Sequence, residues 1–307
     1  MMMANDAYHI PVMLNECIEG LKIKSTGIYV DVTFGGGGHS KAIAENLTTG
    51  KVIAFDRDAD AIKNKITTNQ NLIVIHSSFS NLTHELRKLN FSAIDGLLAD
   101  LGVSSHQFDE AARGFSFRFN SVLDMRMDRR QSLTAATVLN SYAEEKLWKL
   151  FSVYGELRNS KSLAKAIVQA RKIKTIETTF DLKEIIAHLI PAKEESRFLA
   201  QLFQALRIAV NNEMKELESL LDQLAALVSP GGRVCLMSYH SLEDRLVKNF
   251  IATGNSQGIL TKDLYGNITS KTFEAINKKP IEPTENEQKS NPRSRSARLR
   301  IAERMMT

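Results

Sequence analysis

Four consecutive glycines, Gly35 to Gly38, separate the β-branched and aromatic run Ile28 to Val32 from a stretch with helical apolar spacing at Ala42, Ile43 and Leu47. Nineteen positions after Gly37, Asp56 closes a second apolar run, Val52-Ile53-Ala54-Phe55. A strand, a glycine turn, a helix and an acid at the end of the next strand form a nucleotide-binding arrangement. Glycine permits positive φ and lets the backbone approach a ligand closely. A helix N-terminus is electropositive, and a carboxylate there accepts from a ribose diol. NAD, FAD and S-adenosylmethionine all carry an adenosine, and the pattern leaves the three open.

Three more segments present groups able to do chemistry. The run Asp95-Gly-Leu-Leu-Ala-Asp100 delivers Asp100 at a strand end, followed by Gly102, Ser104 and Ser105. Doubly wound sheets bind ligands on that edge, although Asp and Ser in such a turn also suit a helix N-cap. Phe79 follows His76-Ser-Ser after another apolar run and suits either an adenine face or the core. Ser238-Tyr-His-Ser-Leu-Glu-Asp-Arg245 offers His240 as an acid–base or substrate contact, or as a structural histidine, with Ser241 and Asp244 at capping-box spacing. No Ser-His-Asp order and no G-x-S-x-G elbow is present. Cys17 and Cys235 are isolated, form no C-x-x-C, and read as small buried hydrophobes in a reducing cytoplasm.

The elements that must position these groups alternate. Apolar runs at 28–34, 51–56, 72–76 and 94–100 read as strands, with helix-compatible segments at 59–66 and 80–89. This predicts an α/β fold with a parallel sheet covered on both faces. Residues 12–23 have helical spacing and are expected to cover the sheet edge. After Asp100 the alternation stops: 104–130 reads as loop, then helices are predicted at 141–153, 160–172, 179–190, 195–210 and 212–228. The sheet resumes at Arg233 to Ser238, with a helix near Ser241, a weak strand near 271–277 and a last strand from Ala297 to Ala302. The polar stretch 282–295 reads as a mobile loop.

The chain has 307 residues, 43% of them hydrophobic, which supports a real core and excludes global disorder. The net charge of +5 is mild. Asn5, Asp6 and His9 interrupt any signal-peptide core, and no apolar run reaches membrane-spanning length. Charge concentrates between 113 and 175. Thirteen basic residues there (Arg113, Arg118, Arg126, Arg129, Arg130, Lys146, Lys149, Arg158, Lys161, Lys165, Arg171, Lys172, Lys174) face five acidic ones. With Arg293, Arg295, Arg298 and Arg300 they suggest a phosphate backbone as partner, against the alternative of solvated helix faces. The residues alone thus allow an NAD-dependent oxidoreductase, from the glycine turn and Asp56, or a non-catalytic RNA-binding assembly factor, from the basic patches.

Eight motifs occur in a specific order: Thr33-Phe-Gly-Gly-Gly-Gly-His-Ser40, Asp56-Arg-Asp58, Asp100-Leu-Gly-Val-Ser-Ser105, Arg113-Gly-Phe-Ser-Phe117, Leu123-Asp-Met-Arg-Met-Asp128, Phe203-Gln-Ala-Leu-Arg-Ile208, Ser238 to Arg245 and Leu299-Arg-Ile-Ala-Glu-Arg304. From His9 to Arg304 the chain resembles the bacterial small-subunit (16S) ribosomal RNA cytosine-N4-methyltransferase family, the MraW-like enzymes. The resemblance implies a class I S-adenosylmethionine-dependent methyltransferase fold (Rossmann-like, doubly wound) with an all-helical inserted domain. It implies residues 1–110 and 208–307 as the methyltransferase domain and 111–207 as an RNA-recognising insertion. The implied partners are 16S rRNA and the small ribosomal subunit in the cytoplasm, with no membrane and no metal. Gly37, Gly38, His39, Asp56, Phe79, Asp100 and Gln107 match cofactor contacts. Thr33 stands where many methyltransferases have their first motif glycine. Asp100-Leu-Gly-Val replaces the Asn/Asp/Ser-Pro-Pro-Tyr motif of amino-methylating DNA enzymes, so no catalytic residue is carried over. Acceptors for the N4 proton are available at 100–105 and 238–240, and the choice among them stays open.

Overall fold

The computed structural model describes residues 11–63, 69–191, 193–265 and 270–306. The chain divides into two compact units, residues 1–102 with 214–307, and residues 103–213. The expected breaks at 110/111 and 207/208 differ because Val103 and Phe108 pack into the core of the second unit, to which the helix ending at Asn211 also belongs.

The first unit begins with α1 (Leu14–Leu21), β1 (Ile28–Asp31), α2 (Gly38–Glu45), β2 (Lys51–Asp56), α3 (Ala59–Ile62), β3 (Leu72–His76), α4 (Leu82–Lys88) and β4 (Ile94–Asp100). Apolar residues along these strands make both sheet faces sticky, because successive side chains point to opposite sides. Val30, Ile53, Phe55, Leu97 and Ala99 enter one core, while Tyr29, Val52, Ala54 and Leu98 enter the other. The helix expected over 59–66 is described only as α3; residues 64–68 lie outside the described residues, as do the N-terminal positions through residue 10.

The second unit holds α5 (Ser105–Asp109), α6 (Ala135–Ser141), α7 (Glu144–Val153), α8 (Ser160–Ala170), α9 (Thr179–Ile186) and α10 (Glu195–Asn211) around one core. The stretch 104–130 is not simply loop. Ser104 caps α5 by accepting from the Gln107 amide at 3.3 Å, and the Gln107 side chain accepts in return from the Ser104 amide at 3.1 Å. This reciprocal box stabilises a helix too short to show apolar periodicity. Thr134 opens α6 in the same way, accepting from Thr137 N–H at 3.1 Å. Thr178 does so for α9.

The chain then adds α11 (Glu213–Leu227), β5 (Val228–Ser238), α12 (Ser241–Thr253), β6 (Phe273–Ala275), α13 (Glu285–Ser290) and β7 (Arg298–Arg304). The seven-stranded sheet has the order β3-β2-β1-β4-β5-β7-β6. Strands β1 to β5 are parallel, while β7 runs antiparallel to β5 and β6 antiparallel to β7. The sheet is therefore mixed rather than wholly parallel, because β7 returns beside β5 from the far side of α12 and β6. The ladder jumps from Ile94↔Val228 to Gly96↔Arg233, which leaves the Ser-Pro-Gly-Gly turn at 229–232 bulged out.

Helix α1 does not cover the sheet edge: Cys17 and Leu21 bury among Cys235, Leu299 and Ile301, on the face of the interior strands β5 and β7. Cys235 Sγ donates to the Cys17 carbonyl at 3.7 Å, and burial pushes the Cys235 thiol up to about 12, so both thiols are protonated packing groups. The polar stretch 282–295 is ordered. Thr284 caps α13, Glu287 accepts from the Met13 amide at 2.7 Å, and a 3₁₀ turn follows from Pro292 to Ser296. Composition missed this because the anchor lies 274 residues away. Among the described residues no helix is long and apolar enough to cross a membrane.

Candidate functional site

The parallel strands end on one side of the first unit, and the register puts their last residues next to each other. Asp56 pairs with His76, Asp31 with Leu98, and Asp100 with Met237. The turn after β1, the acid of β2, the aromatic after β3, the acid of β4 and the segment after β5 therefore share one edge.

The glycine turn is built from within. Gly35 and Gly37 adopt φ of 51° and 78°, which only glycine takes without steric cost. Phe34 N–H bonds the Phe55 carbonyl at 2.8 Å, and Gly37 N–H closes back on the Phe34 carbonyl at 2.7 Å. Asp31, buried beneath the turn, accepts from Thr33 N–H at 3.0 Å and from Ser40 Oγ at 2.6 Å. Thr33 Oγ1 accepts from the Asp100 amide at 2.7 Å. The threonine at the usual glycine position thus has a physical reason, since its hydroxyl ties the end of β1 to the end of β4.

Asp56 is half-buried. One carboxylate oxygen accepts from Gly35 N–H and the other from Asp58 N–H, both at 2.8 Å. Desolvation pushes its pKa up to about 6, against the pull of these two amides. A carboxylate has about four acceptor positions, so the amides leave room for further donors.

His39 sits one residue inside α2, and its buried ring bonds the Val12 carbonyl through Nε2 at 3.0 Å. A carbonyl only accepts, so the proton is on Nε2. That side chain is a brace between the start of α2 and the segment before α1. What His39 offers at the turn is its backbone amide, one of the first-turn N–H groups that a helix leaves without intrahelical partners.

Phe79 opens a 3₁₀ turn after β3 and is partly exposed. Its loop is clamped by Gln223 of α11, whose amide donates to the carbonyls of Phe79 and Ser80 at 3.4 and 3.2 Å and accepts from Thr83 Oγ1 at 2.8 Å. Ser78 Oγ also donates to Glu216. Nothing in the sequence marks Gln223, which reads as an ordinary polar position on a helix.

Asp100 accepts from the Tyr239 hydroxyl at 2.7 Å. Burial, and then the Asp100 charge, push the Tyr239 pKa well above the ordinary phenol range, so this hydroxyl stays a donor. Ser241 does not cap α12. His240 is the N-cap, its Nδ1 accepting from Glu243 N–H at 3.4 Å, which leaves the proton on Nε2. Asp244 binds Arg300 with a two-pronged pair at 2.7 and 3.1 Å.

Gly37, Gly38, His39, Asp56, Phe79 and Asp100 are thus gathered on one edge. Gln107 belongs to the second unit, where its side chain completes the cap of α5.

Many of the basic residues of the second unit are already committed to partners within the chain. Arg113 is fully buried and donates to the carbonyls of Arg126 and Met127 at 2.9 and 3.3 Å. Arg126 and Arg130 chelate Asp124 and Asp128, and Lys149 and Lys174 pair with Glu145 and Asp181. Arg171 donates to the carbonyls of Leu139 and Tyr142, both at 2.7 Å. Arg300 is committed to Asp244. Arg113, Arg126, Arg171 and Arg300 hold the fold, whereas Arg130, Lys149 and Lys174 keep exposed heads in surface ion pairs, and a sequence count cannot separate the two groups. The aromatic and Met motifs of the insertion are likewise core: Phe115, Leu123, Met125 and Met127 are buried, and Phe117 meets Phe203 edge-on at 5.6 Å.

Comparison with known proteins completes this picture. A relative from Cytophaga hutchinsonii is 50% identical over 298 residues, covering 97% of this chain and 99% of its own. One from Parabacteroides distasonis is 50% identical over 303 residues (98% and 99%), and one from Amoebophilus asiaticus is 51% identical over 301 (98% and 97%). All three are named ribosomal RNA small subunit methyltransferase H. The model of the MraW methylase family matches residues 6–305. The chain, with its doubly wound mixed sheet and helical second unit, belongs to the MraW methylase family.

Proposed function

We propose that the chain methylates the exocyclic N4 of a specific cytosine in the decoding region of 16S rRNA, with S-adenosylmethionine as donor. The observation that carries this reading is the gathering of the glycine turn, Asp56 and Asp100 on one sheet edge of a family methylase. The residues there suit the donor. Asp56 retains acceptor capacity for ribose hydroxyls, partly exposed Phe79 offers a face to adenine, and Gly37, Gly38 and the His39 amide line the turn at the start of α2. Bound there, S-adenosylmethionine supplies a methyl group on an already activated sulfonium centre.

What the chain itself must add is positioning. The N4 lone pair is delocalised into the cytosine ring, so the site has to supply an acceptor for an N4 proton and a fixed line of approach. Such positioning is worth about 7–11 kcal/mol at best. In this reading Asp100, held on one side by Tyr239, contacts the cofactor, and 111–207 recognises RNA. The target base must be unstacked or presented in a single strand.

Incubation with methyl-labelled S-adenosylmethionine and small subunits lacking the mark should place label on cytosine N4, read by nucleoside mass spectrometry. RNA binding without label would favour an assembly factor instead, and binding of NAD without S-adenosylmethionine would favour an oxidoreductase.

Tyr239→Phe tests the arrangement at Asp100. The variant keeps the ring and removes the hydroxyl. A hydrogen bond to a charged group is worth about 1.5–3 kcal/mol, so KM for the donor should rise roughly tenfold or more with kcat little changed. An unchanged KM would remove Tyr239 from the positioning of Asp100.

A further inference from the structure

Among the exposed cations of the second unit, four fall on or beside one helix, within residues 158–172. Helix α8 buries Ser160, Leu163, Ala164 and Ile167. Lys161 and Lys165 stand on its opposite face, and Lys172 follows one residue past its C-cap; all three are exposed. At 100° and 1.5 Å per residue Lys161 and Lys165 lie about 40° and about 6 Å apart on the helix, and Lys172 follows in the turn beyond its end. Arg158, also exposed, precedes the helix. The eighteen residues from 157 to 174 contain no carboxylate.

Among the described residues Arg158, Lys165 and Lys172 have no ion-pair partner. The Lys161 ammonium lies 4.5 Å from the centre of the Trp148 ring, which belongs to α7. Arg171 departs from this face because its guanidinium reaches back to the carbonyls at 139 and 142. It anchors the end of the helix that carries Lys161 and Lys165.

We infer that the exposed face of α8 and the turn just past its end bind the phosphate backbone of a single RNA strand through Lys161, Lys165 and Lys172. A row of cations free of carboxylates meets a row of phosphates without first breaking internal pairs. Trp148, packed against the core, holds the Lys161 ammonium over its ring and so fixes the start of the row. The inference rests on the reading of the chain as an RNA methyltransferase and says which surface of it holds the strand. Phosphate contacts fix position without reading sequence, so this face supplies affinity and leaves the choice of nucleotide to other residues.

The test is the full-length triple variant Lys161→Gln, Lys165→Gln, Lys172→Gln. Binding is measured across a salt series, with deproteinised small-subunit RNA and with an unrelated single-stranded RNA of equal length. Each phosphate contact on a single strand contributes about 0.7 to the slope of log affinity against log salt. The slope should flatten by about two, on both RNAs alike, while S-adenosylmethionine binding stays at the wild-type value. The pair Lys165→Gln, Lys172→Gln, which spares the contact with Trp148, should flatten it by somewhat more than one and guards against a folding defect in the triple variant. An unchanged slope in both variants overturns the inference and leaves a solvated face, while loss confined to the small-subunit RNA overturns the phosphate assignment. Failure of the underlying reading looks different: the wild-type chain itself would place no methyl group on small-subunit RNA. A wild type that methylates, together with variants of unchanged slope, would refute only the role of α8.

Discussion

Asp56→Ala should weaken S-adenosylmethionine binding on the order of 100-fold while leaving RNA affinity at fixed salt near the wild-type value. The expectation follows from two roles held by one carboxylate. It is the acceptor proposed for the ribose hydroxyls, and each such bond to a charged group is worth about 1.5–3 kcal/mol. It also holds the Gly35 and Asp58 amides at 2.8 Å, so its loss loosens the turn on which the donor sits. Asparagine does not replace it, because one end of the amide would present N–H to an N–H. Calorimetric titration with donor, beside filter binding with RNA, separates the effects. A parallel loss of both affinities would mean that the substitution damages the fold at large.

The same residue sets a pH dependence whose sign can be worked out. Desolvation raises Asp56 to about 6, with Asp58 adding to the rise and Arg57 opposing it. The folded chain therefore holds this proton better than the unfolded chain does. The resulting stabilisation is present in acid, below the ordinary carboxylate range, and is lost as pH rises through about 6. Donor binding runs the other way, because ribose hydroxyls need the ionised acceptor. Affinity should be complete above about pH 6 and should fall by up to about tenfold per unit below it. Asp56→Asn should flatten that profile. His76, Arg57 and Asp58 remain in the variant, so a slope that survived would belong to them or to the ligand.

Much of this edge was legible in the sequence because parallel strands declare both their interiors and their ends. The runs closing in Asp56 and Asp100 have the β-branched, apolar composition of strands buried on both faces, and the polar residue that ends each run marks the ligand edge. What stayed illegible depends on partners remote in sequence. Tyr239 meets Asp100 across 139 residues, and Gln223 meets the Phe79 loop across 144. Arg300 and Arg171 read as surface cations until their acceptors, 56 and about 30 residues away, are seen. Thr33 is the instructive case. As a departure from the expected glycine it was visible, but its reason, the amide of Asp100, belongs to another strand. The polar stretch at 282–295 misled for the related reason that composition reports solvation and not anchorage.

Arg113→Ala should lower the thermal midpoint by roughly 10 °C and leave the salt dependence of RNA binding unchanged. A basic residue in a methylase of RNA invites assignment to phosphate, and the structure argues otherwise. The side chain is fully buried, donates to the carbonyls of Arg126 and Met127, and lies 5.9 Å from the centre of the Phe115 ring. Its own carbonyl accepts from Met125 N–H at 3.0 Å. The next residue, Gly114, has φ of 72° and passes so close to the Val122 carbonyl that a Cβ would stand 2.2 Å from it. The guanidinium is therefore the pin of a tightly folded loop against the core that contains Met125 and Met127. Truncation takes the donor from one buried and one part-buried carbonyl, at about 1–3 kcal/mol for the buried one, and leaves a cavity the size of a long side chain. A total of about 3–5 kcal/mol in a chain of this size gives a shift on the order of 10 °C. The salt slope decides between the two roles, since a phosphate contact contributes about 0.7 to it and a buried pin contributes nothing. A variant that melts like the wild type but binds RNA with a flatter slope would place Arg113 at the interface, against its burial.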